Sequence, residues 1–385
     1  MTYPPSTCAR CHRQHDAPPH HYPLVCSCGH KILSPFPPAP DPDPTPDAPA
    51  DVLIVYHRGD PWHRAIMLDQ PAAALRAAGL SVGAINSCDA SPLGLSAAIL
   101  RRGSRLVINQ ALALPASTLK PIAHDHPNVR LLTTLHSSIG DLARSPQWIA
   151  SLHAHAVAAA ELTNVDLATP DDDLRRALPA LDLVYLPNPV TIPDHDPRPP
   201  GDAVSLICDA RPLKNWTTQI AALALAQRTY KPLPVLLAIH RARPETLRQF
   251  CETVGLTNYR LEPWRSHAAY LEMIDRDVRF ALQASHTETF NYVAIEHLIR
   301  GRPVIGSPAL PYLPAYWVAD ADSVHAIADR IGFVYAHPRE AIATKLGRDI
   351  ARTNNRRFLQ TVEALLCNSG LPVPAEAEPA GLRNC

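Results

Sequence analysis

Residues 285–296 carry two carboxylates around a turn of the chain: Glu288, then Thr289, Phe290 and Asn291, then Glu296 eight positions after the first. If a helix begins near Asn291, Glu288 lies in the loop before it and Glu296 lies more than one turn inside. That separation does not suit a paired acid/base couple. It suits two contacts to different parts of one elongated ligand. The amides exposed at such a helix start favour an anion, of which a diphosphate is the natural example. A second cluster, Arg211-Pro-Leu-Lys214-Asn215, also follows a strand-like run and precedes a helical one, and brings two cations to the edge where a phosphate would sit. A third set lies near the N-terminus, where Cys8 and Cys11 are followed by Cys26 and Cys28. Four thiolates in two short pairs satisfy a closed tetrahedral zinc site of the ribbon or knuckle kind.

The elements that must position these groups follow from apolar runs. Asp51–Tyr56 reads as a buried strand, and further strands are expected at residues 81–85, 105–108, 130–135 and 183–186, with helical patterns between them. A second series begins near Ala203, with strands at 204–208, 235–239, 259–261, 278–282 and 303–305. Strands alternating with helices predict parallel sheets covered on both faces, hence two Rossmann-like halves that meet near Asn188-Pro189. Ligands of such sheets bind beyond the carboxyl ends of the strands, so a cleft between the halves is the expected site. Seventeen residues, 34–50, alternate proline with small or acidic residues and predict an extended spacer. The expected organisation is therefore a zinc ribbon at 1–33, a Pro-rich linker at 34–50, a first Rossmann-like domain at 51–188, a second at 189–367, and a tail at 368–385.

Composition narrows the class. Hydrophobic residues make up 46% of the 385, enough for real cores. Lys+Arg 36 against Asp+Glu 36 excludes a strongly basic nucleic-acid coat or a polybasic membrane binder as the identity of the whole chain. The start lacks the basic and apolar regions of a signal peptide, and no segment approaches the ~18 apolar residues of a membrane span, so a soluble cytoplasmic protein is expected.

With strand, helix and the later Gly301-Arg-Pro303-Val-Ile-Gly306-Ser307 in this order, the Glu288–Glu296 segment resembles the Glu-x7-Glu motif of retaining nucleotide-sugar glycosyltransferases of the GT-B fold, notably glycosyltransferase family four. The Arg211–Asn215 stretch is similar to the Arg-x-x-Lys-Asn phosphate element of one bacterial and phage branch of that family. The resemblance covers roughly residues 51–366 and is strongest from 203 to 310. It implies a hexosyl transfer from a nucleotide-diphosphate sugar, with the first domain receiving the acceptor and the second the donor. Glu296 would then bind the donor ribose and Glu288 the transferred sugar. Arg211 and Lys214 would neutralise the diphosphate, assisted by Asn215 and by the amides of Thr289, Phe290 and Asn291. His136, after a strand in Leu135-His136-Ser137-Ser138, matches a position where relatives place a cleft histidine. The resemblance further implies retention of configuration by front-face attack without a catalytic metal. One departure stands out: the Gly-Arg pair that family members often carry ahead of the phosphate lysine is here Cys208-Asp209.

Three acceptors suit the pattern: a glycan, a lipid-linked saccharide, or a hydroxymethylated DNA base, for which the ribbon would grip the duplex. The ribbon holds few cations (Arg10, Arg13, Lys31), which suits contact with protein equally well. A non-catalytic nucleotide-sugar-binding scaffold tethered by the ribbon is the alternative from another class. Asp320-Ala-Asp322 and Asp194-His-Asp196 read as loop residues, and Trp264 reads as a half-buried core aromatic.

Overall fold

The computed structural model describes residues 48–57, 64–87, 91–144, 146–230 and 233–367, together with four two-residue strands near the N-terminus. The chain divides into two compact units, Met1–Pro46 and Asp47–Cys385. In the first unit β1 (Ser6–Thr7) pairs antiparallel with β2 (Gln14–His15), and β3 (Leu24–Val25) with β4 (Lys31–Ile32). Cys8, Cys11, Cys26 and Cys28 lie outside the described residues, as does most of the expected linker.

The second unit holds two parallel sheets. Strands β5 (Val52–Tyr56), β6 (Val82–Asn86), β7 (Leu106–Asn109), β8 (Arg130–Thr134), β9 (Val165–Thr169) and β10 (Val184–Tyr185) form the first, in the order β10-β9-β8-β7-β5-β6. Residues 52–56 are buried throughout, as expected of a central strand covered on both faces. Helices α1 (Gln70–Ala77), α2 (Pro92–Arg102), α3 (Ala116–Asp125), α4 (Ile139–Ala143), α5 (Pro146–Glu161) and α6 (Asp172–Ala177) connect them. Strand β9 was not among the expected strands. Its apolar run is short and interrupted by Asp166, whose carboxylate is taken 2.5 Å away by Arg130 on the neighbouring strand.

The second sheet contains β11 (Ala203–Asp209), β12 (Val235–His240), β13 (Tyr259–Leu261), β14 (Val278–Gln283) and β15 (Val304–Gly306), in the order β13-β12-β11-β14-β15. Its helices are α7 (Trp216–Thr229), α8 (Pro244–Val254), α9 (His267–Asp277), α10 (Tyr292–Ile299), α11 (Val324–Ala336) and α12 (Glu340–Cys367). Strand order reverses on either side of β5 in the first sheet and of β11 in the second. The switch points, where adjacent connections leave in opposite directions and open a crevice, thus lie between β5 and β7 and between β11 and β14.

Helix α12 ties the halves together. Its Ala343 and Ala351 belong to the core of the second half, and at Gly347 the helix lies so close to α10 that an added Cβ would fall 2.5 Å from the Ile299 nitrogen. Further on, Phe358, Val362, Leu365 and Leu366 are buried in the core of the first half. The expected second domain ended at 367, but these last turns pack elsewhere because the apolar stripe of the helix continues past the end of its own domain. Between the two packings, the Asn355 side chain accepts from Val190 N at 2.7 Å and donates to Val190 O at 2.9 Å, pinning the crossover where the halves meet.

Candidate active site

The β11–β14 switch point is where the expected residues converge. After β11 the chain makes a single tight turn, Pro212–Lys214, that aims Lys214 toward the loop following β14. There its Nζ lies 2.6 Å from Glu288 Oε2, and the two side chains are only 17% and 4% exposed. Asn291 donates from Nδ2 to the other Glu288 oxygen at 3.0 Å and to Gln283 at 3.1 Å. Its Oδ1 caps α10 by accepting from Ala294 N at 2.9 Å, and its backbone sits in the left-handed region (φ 59°), which asparagine tolerates better than most residues. One asparagine thus starts the helix and fixes the carboxylate before it.

Arg211 goes elsewhere. Its Nη1 reaches across to the first half and meets Asp141 Oδ1 at 3.1 Å. Asp141 sits in the first turn of α4, where Ser138 accepts from its backbone nitrogen at 3.2 Å. At this point the halves approach closely: a Cβ on Gly140 would lie 3.0 Å from Thr287 and 3.4 Å from Leu213. Asn215 does not face the cleft. Its Nδ2 is engaged by the Ala284 and Ala321 carbonyls at 3.0 and 2.7 Å, so its side chain ties loops together and leaves no donor for a phosphate. Phe290 is buried edge-on against Tyr292, while Thr289 is half-buried in the loop between Glu288 and the helix.

The Cys208-Asp209 departure has a structural account. Burial pushes the Cys208 thiol up to about 12, so it stays protonated. Burial alone would also raise Asp209, yet a hydrogen bond from His240 and the charges of Arg241 and Arg211 outweigh it and hold the carboxyl below its usual range. Arg241, 3.4 Å from Asp209, stands in the left-handed region (φ 67°), a strained conformation at the carboxyl end of β12.

Glu296 is 2% exposed, one and a half turns inside α10. Its Oε1 lies 2.5 Å from His267 Nε2, at the start of α9, and the buried Tyr270 hydroxyl also hydrogen-bonds its carboxylate. In the first half, His136 Nε2 lies 2.9 Å from Gln110 Oε1, which also accepts from Thr134 Oγ1 at 2.9 Å. Because the amide oxygen only accepts, the imidazole donates through Nε2 and keeps Nδ1 as an acceptor. Burial pushes this histidine down to about 4, so it is neutral in ordinary conditions. The loop that carries Gln110 is strained, with Ala111 and Leu112 both at positive φ (52° and 54°).

Solved structures share this architecture. Anabaena HepE in complex with UDP-glucose matches 83% of this chain and 99% of its own, with a TM-score of 0.61 at 15% identity. Sucrose-phosphate synthase from Thermosynechococcus elongatus matches 84% of this chain and 97% of its own, with a TM-score of 0.53 at 16% identity. The fold is GT-B. For S. aureus TarM with UDP the match covers 68% of this chain, the TM-score is 0.54 at 16% identity, and the chain spans 55% of that protein's length. No family model matches the sequence, and no curated protein matches it.

On the GT-B frame, the predicted groups sort into three fates. Lys214, Glu288 and Asn291 meet at one point, Arg211 and His136 lie on facing edges, and Asn215 is structural. Sequence reasoning missed Asp141, Gln110 and His267. Asp141 had a readable signal, since Ser138-x-x-Asp141 is a helix-start pattern. Gln110 directly follows β7 on the carboxyl edge, while His267 stands 29 positions from its partner and had no local signal. A surface depression of about 380 Å³ around Gly201, Asn258 and Arg276 lies at the amino ends of the strands, the opposite edge from these groups.

Proposed function

We propose that the protein is a retaining glycosyltransferase that moves a hexosyl group from a nucleotide-diphosphate sugar to an acceptor hydroxyl without a catalytic metal. The observation that carries this reading is the Lys214–Glu288–Asn291 cluster at the second sheet's switch point, on a frame shared with a UDP-glucose complex. The diphosphate lies against Lys214 and the amino end of α10, with Arg211 joining it. Glu288 faces the transferred sugar, and Glu296 takes the ribose. The acceptor oxygen forms its bond to the anomeric carbon on the face from which the phosphate oxygen departs. The acceptor proton passes to that leaving oxygen, and a nucleoside diphosphate is released. Charge grows on the leaving group as the bond breaks, so cations already in place stabilise the transition state more than the ground state. Neutral His136 offers Nδ1 to a hydroxyl at the cleft.

The acceptor is a glycan, a lipid-linked saccharide or a hydroxymethylated DNA base. No helix among the described residues is long and apolar enough to cross a membrane, and we assign the enzyme to the cytoplasm. Cys8, Cys11, Cys26 and Cys28 are assigned to one structural zinc. The β1–β2 and β3–β4 pairings support this, because each closes a short segment on whose stretch of sequence two of the cysteines fall.

Thermal unfolding of the full chain with UDP, GDP and ADP tests the donor assignment. A nucleotide at ~100 times its dissociation constant stabilises by about 2.7 kcal/mol. One of the three raises the midpoint and Glu296→Ala removes the shift; no shift with any of them removes the donor reading. Glu288→Gln then separates enzyme from scaffold: it abolishes donor turnover in an enzyme, whereas a scaffold has no wild-type turnover to lose. Elemental analysis of the same preparation gives about one zinc per chain, and a zinc-free folded chain overturns the ribbon assignment.

A further inference from the structure

The large apolar side chains left to solvent are not spread evenly over the protein. Among the described residues seven are exposed, and four of these stand together at one end of the first half: Leu93 (83%), Ile139 (50%), Trp148 (41%) and Ile149 (50%). The reason lies in the topology. Helices α2, α3 and α5 cover one face of the first sheet, with Leu95, Leu119 and Ala159 in or against one core. Between parallel strands, each such helix begins at the carboxyl edge and runs back to the amino edge. Leu93 opens α2, Ile139 opens α4, and Trp148 and Ile149 lie in the first turn of α5, so all four stand on the carboxyl edge, at the rim of the cleft. Gly140, beside Ile139, is the residue that comes closest to Thr287 and Leu213 of the second half.

Helix α5 is also unusual in what it turns outward. A surface helix ordinarily shows charges to water, as α8 does with exposed Glu245 and Arg248. Helix α5 carries no Lys, Arg, Asp or Glu from residue 146 to residue 160, although Trp148, Ile149, Ala150, His153 and Ala154 are exposed. An uncharged apolar patch of this kind marks a contact surface. Charge selects what covers it. Arg144, at the end of α4, is exposed beside the patch and makes no ion pair among the described residues. A two-fold contact with a second copy, centred on the patch, brings this cation against its own image, whereas an anionic headgroup neutralises it. Indole side chains settle at the boundary between headgroups and hydrocarbon, and the place of the patch on the rim leaves the cleft open toward that boundary.

We infer that the first half docks on an anionic lipid surface through Leu93, Ile139, Trp148 and Ile149, and that the acceptor is accordingly the lipid-linked saccharide, met at the cleft mouth in the surface to which the enzyme is bound. The choice of acceptor rests on the assignment of the first half to the acceptor; the docking does not.

Co-flotation of the full chain with vesicles of equal parts phosphatidylcholine and phosphatidylglycerol tests the docking. The wild type floats with the vesicles. The double variant Trp148→Ser with Ile149→Ser binds at least about tenfold more weakly, because two large side chains no longer enter apolar surroundings. Leu100→Ser, on the same helix layer but at its amino-edge end, binds like the wild type. Arg144→Gln weakens binding about fivefold on these vesicles and does not change it on phosphatidylcholine alone. The substituted side chains are exposed, so unfolding midpoints stay at the wild-type value and the losses report contact rather than folding. A wild type that remains in the lipid-free fraction overturns the inference, as does a loss in Leu100→Ser equal to that in the double variant. A wild-type dimer in sedimentation that the double variant converts to monomer also overturns it, and gives the patch to a second copy. With the donor known, radiolabelled sugar passes into the organic phase when vesicles contain a lipid extract of the source cells; label that stays in water overturns the acceptor assignment. Nucleotide-induced stabilisation without vesicle binding removes the docking and leaves the glycosyltransferase reading, while vesicle binding without any nucleotide effect does the reverse.

Discussion

The carboxyl edge of the second sheet is made of charges that neutralise one another, while the facing edge of the first is made mostly of neutral hydrogen-bonding groups. Lys214 pairs with Glu288, and Arg241 with Asp209. Opposite them stand Gln110, Thr134 and a His136 whose burial keeps it uncharged. An edge of matched ion pairs can accept an anionic ligand by exchanging partners, without burying net charge in the empty state. A neutral edge suits a ligand that brings hydroxyls. The division of charge therefore agrees with a charged donor on one side and a neutral acceptor on the other.

The largest expected effect breaks the charged side. Lys214→Ala strips the cation from a carboxylate that is 4% exposed, and leaving a buried charge unpaired destabilises by about 3–5 kcal/mol. It also removes a preorganised cation from the proposed phosphate site, which lowers donor turnover by about 10²–10³. The two losses separate in the double variant Lys214→Ala with Glu288→Gln. Urea unfolding recovers most of the stability in the double variant, because no charge is stranded, while turnover stays lost. Full stability in the single variant shows instead that Glu288 is solvated and that the edge is not built from dependent pairs.

A smaller effect probes the neutral side through pH. His136 is held at about 4 by burial, against an ordinary value of 6.5. Between those values the unfolded chain binds a proton that the folded chain does not, so stability is complete above 6.5 and is lost as pH falls toward 4. His297, pushed down to about 3 in the second half, acts in the same direction. His136→Gln removes one of the two contributions. It reduces the fall in unfolding free energy between pH 6.5 and 5 by about 2 kcal/mol, while the carboxylates and His297 contribute equally to both proteins. Urea titrations at the two pH values check this, and an unchanged fall means that the imidazole is hydrated.

Much of this arrangement was legible in the sequence because it is local. Val52–Tyr56 is a continuous apolar run, and such runs identify central parallel strands. Lys214 and Glu288 each follow a strand by a few residues, so alternation alone brought them to one edge. Asn291 was expected among the donor contacts with a helix beginning near it, and the structure makes it the N-cap of that helix. What sequence could not supply were pairings across topology. His267 and Glu296 meet because α9 and α10 pack beside each other, and nothing near either residue signals it. Asn215 was expected at the donor because Arg211–Asn215 resembles an Arg-x-x-Lys-Asn phosphate element. Only the positions of the Ala284 and Ala321 carbonyls show that its amide is already engaged. The end of α12 read as second-domain sequence because helical periodicity says which face is apolar but not which core that face enters.

Asp141 is the exception to a neutral first edge, and it gives the smallest and most discriminating test. Its partner Arg211 is 43% exposed and Asp141 is 25% exposed, so the pair contributes under about 1 kcal/mol to stability, and Asp141→Asn leaves the unfolding midpoint nearly unchanged. The amide can still accept from the Ser138 hydroxyl, which preserves the start of α4. Nucleotide binding is where the change shows. In the empty protein Arg211 is held by a carboxylate that a diphosphate must displace, so Asp141→Asn tightens nucleoside diphosphate binding about threefold at low ionic strength. The gain shrinks in ~0.5 M salt, where exposed charges are screened. Weaker binding in the variant reverses the interpretation: Asp141 then delivers Arg211 to the phosphate, and the charged site is shared between the two halves.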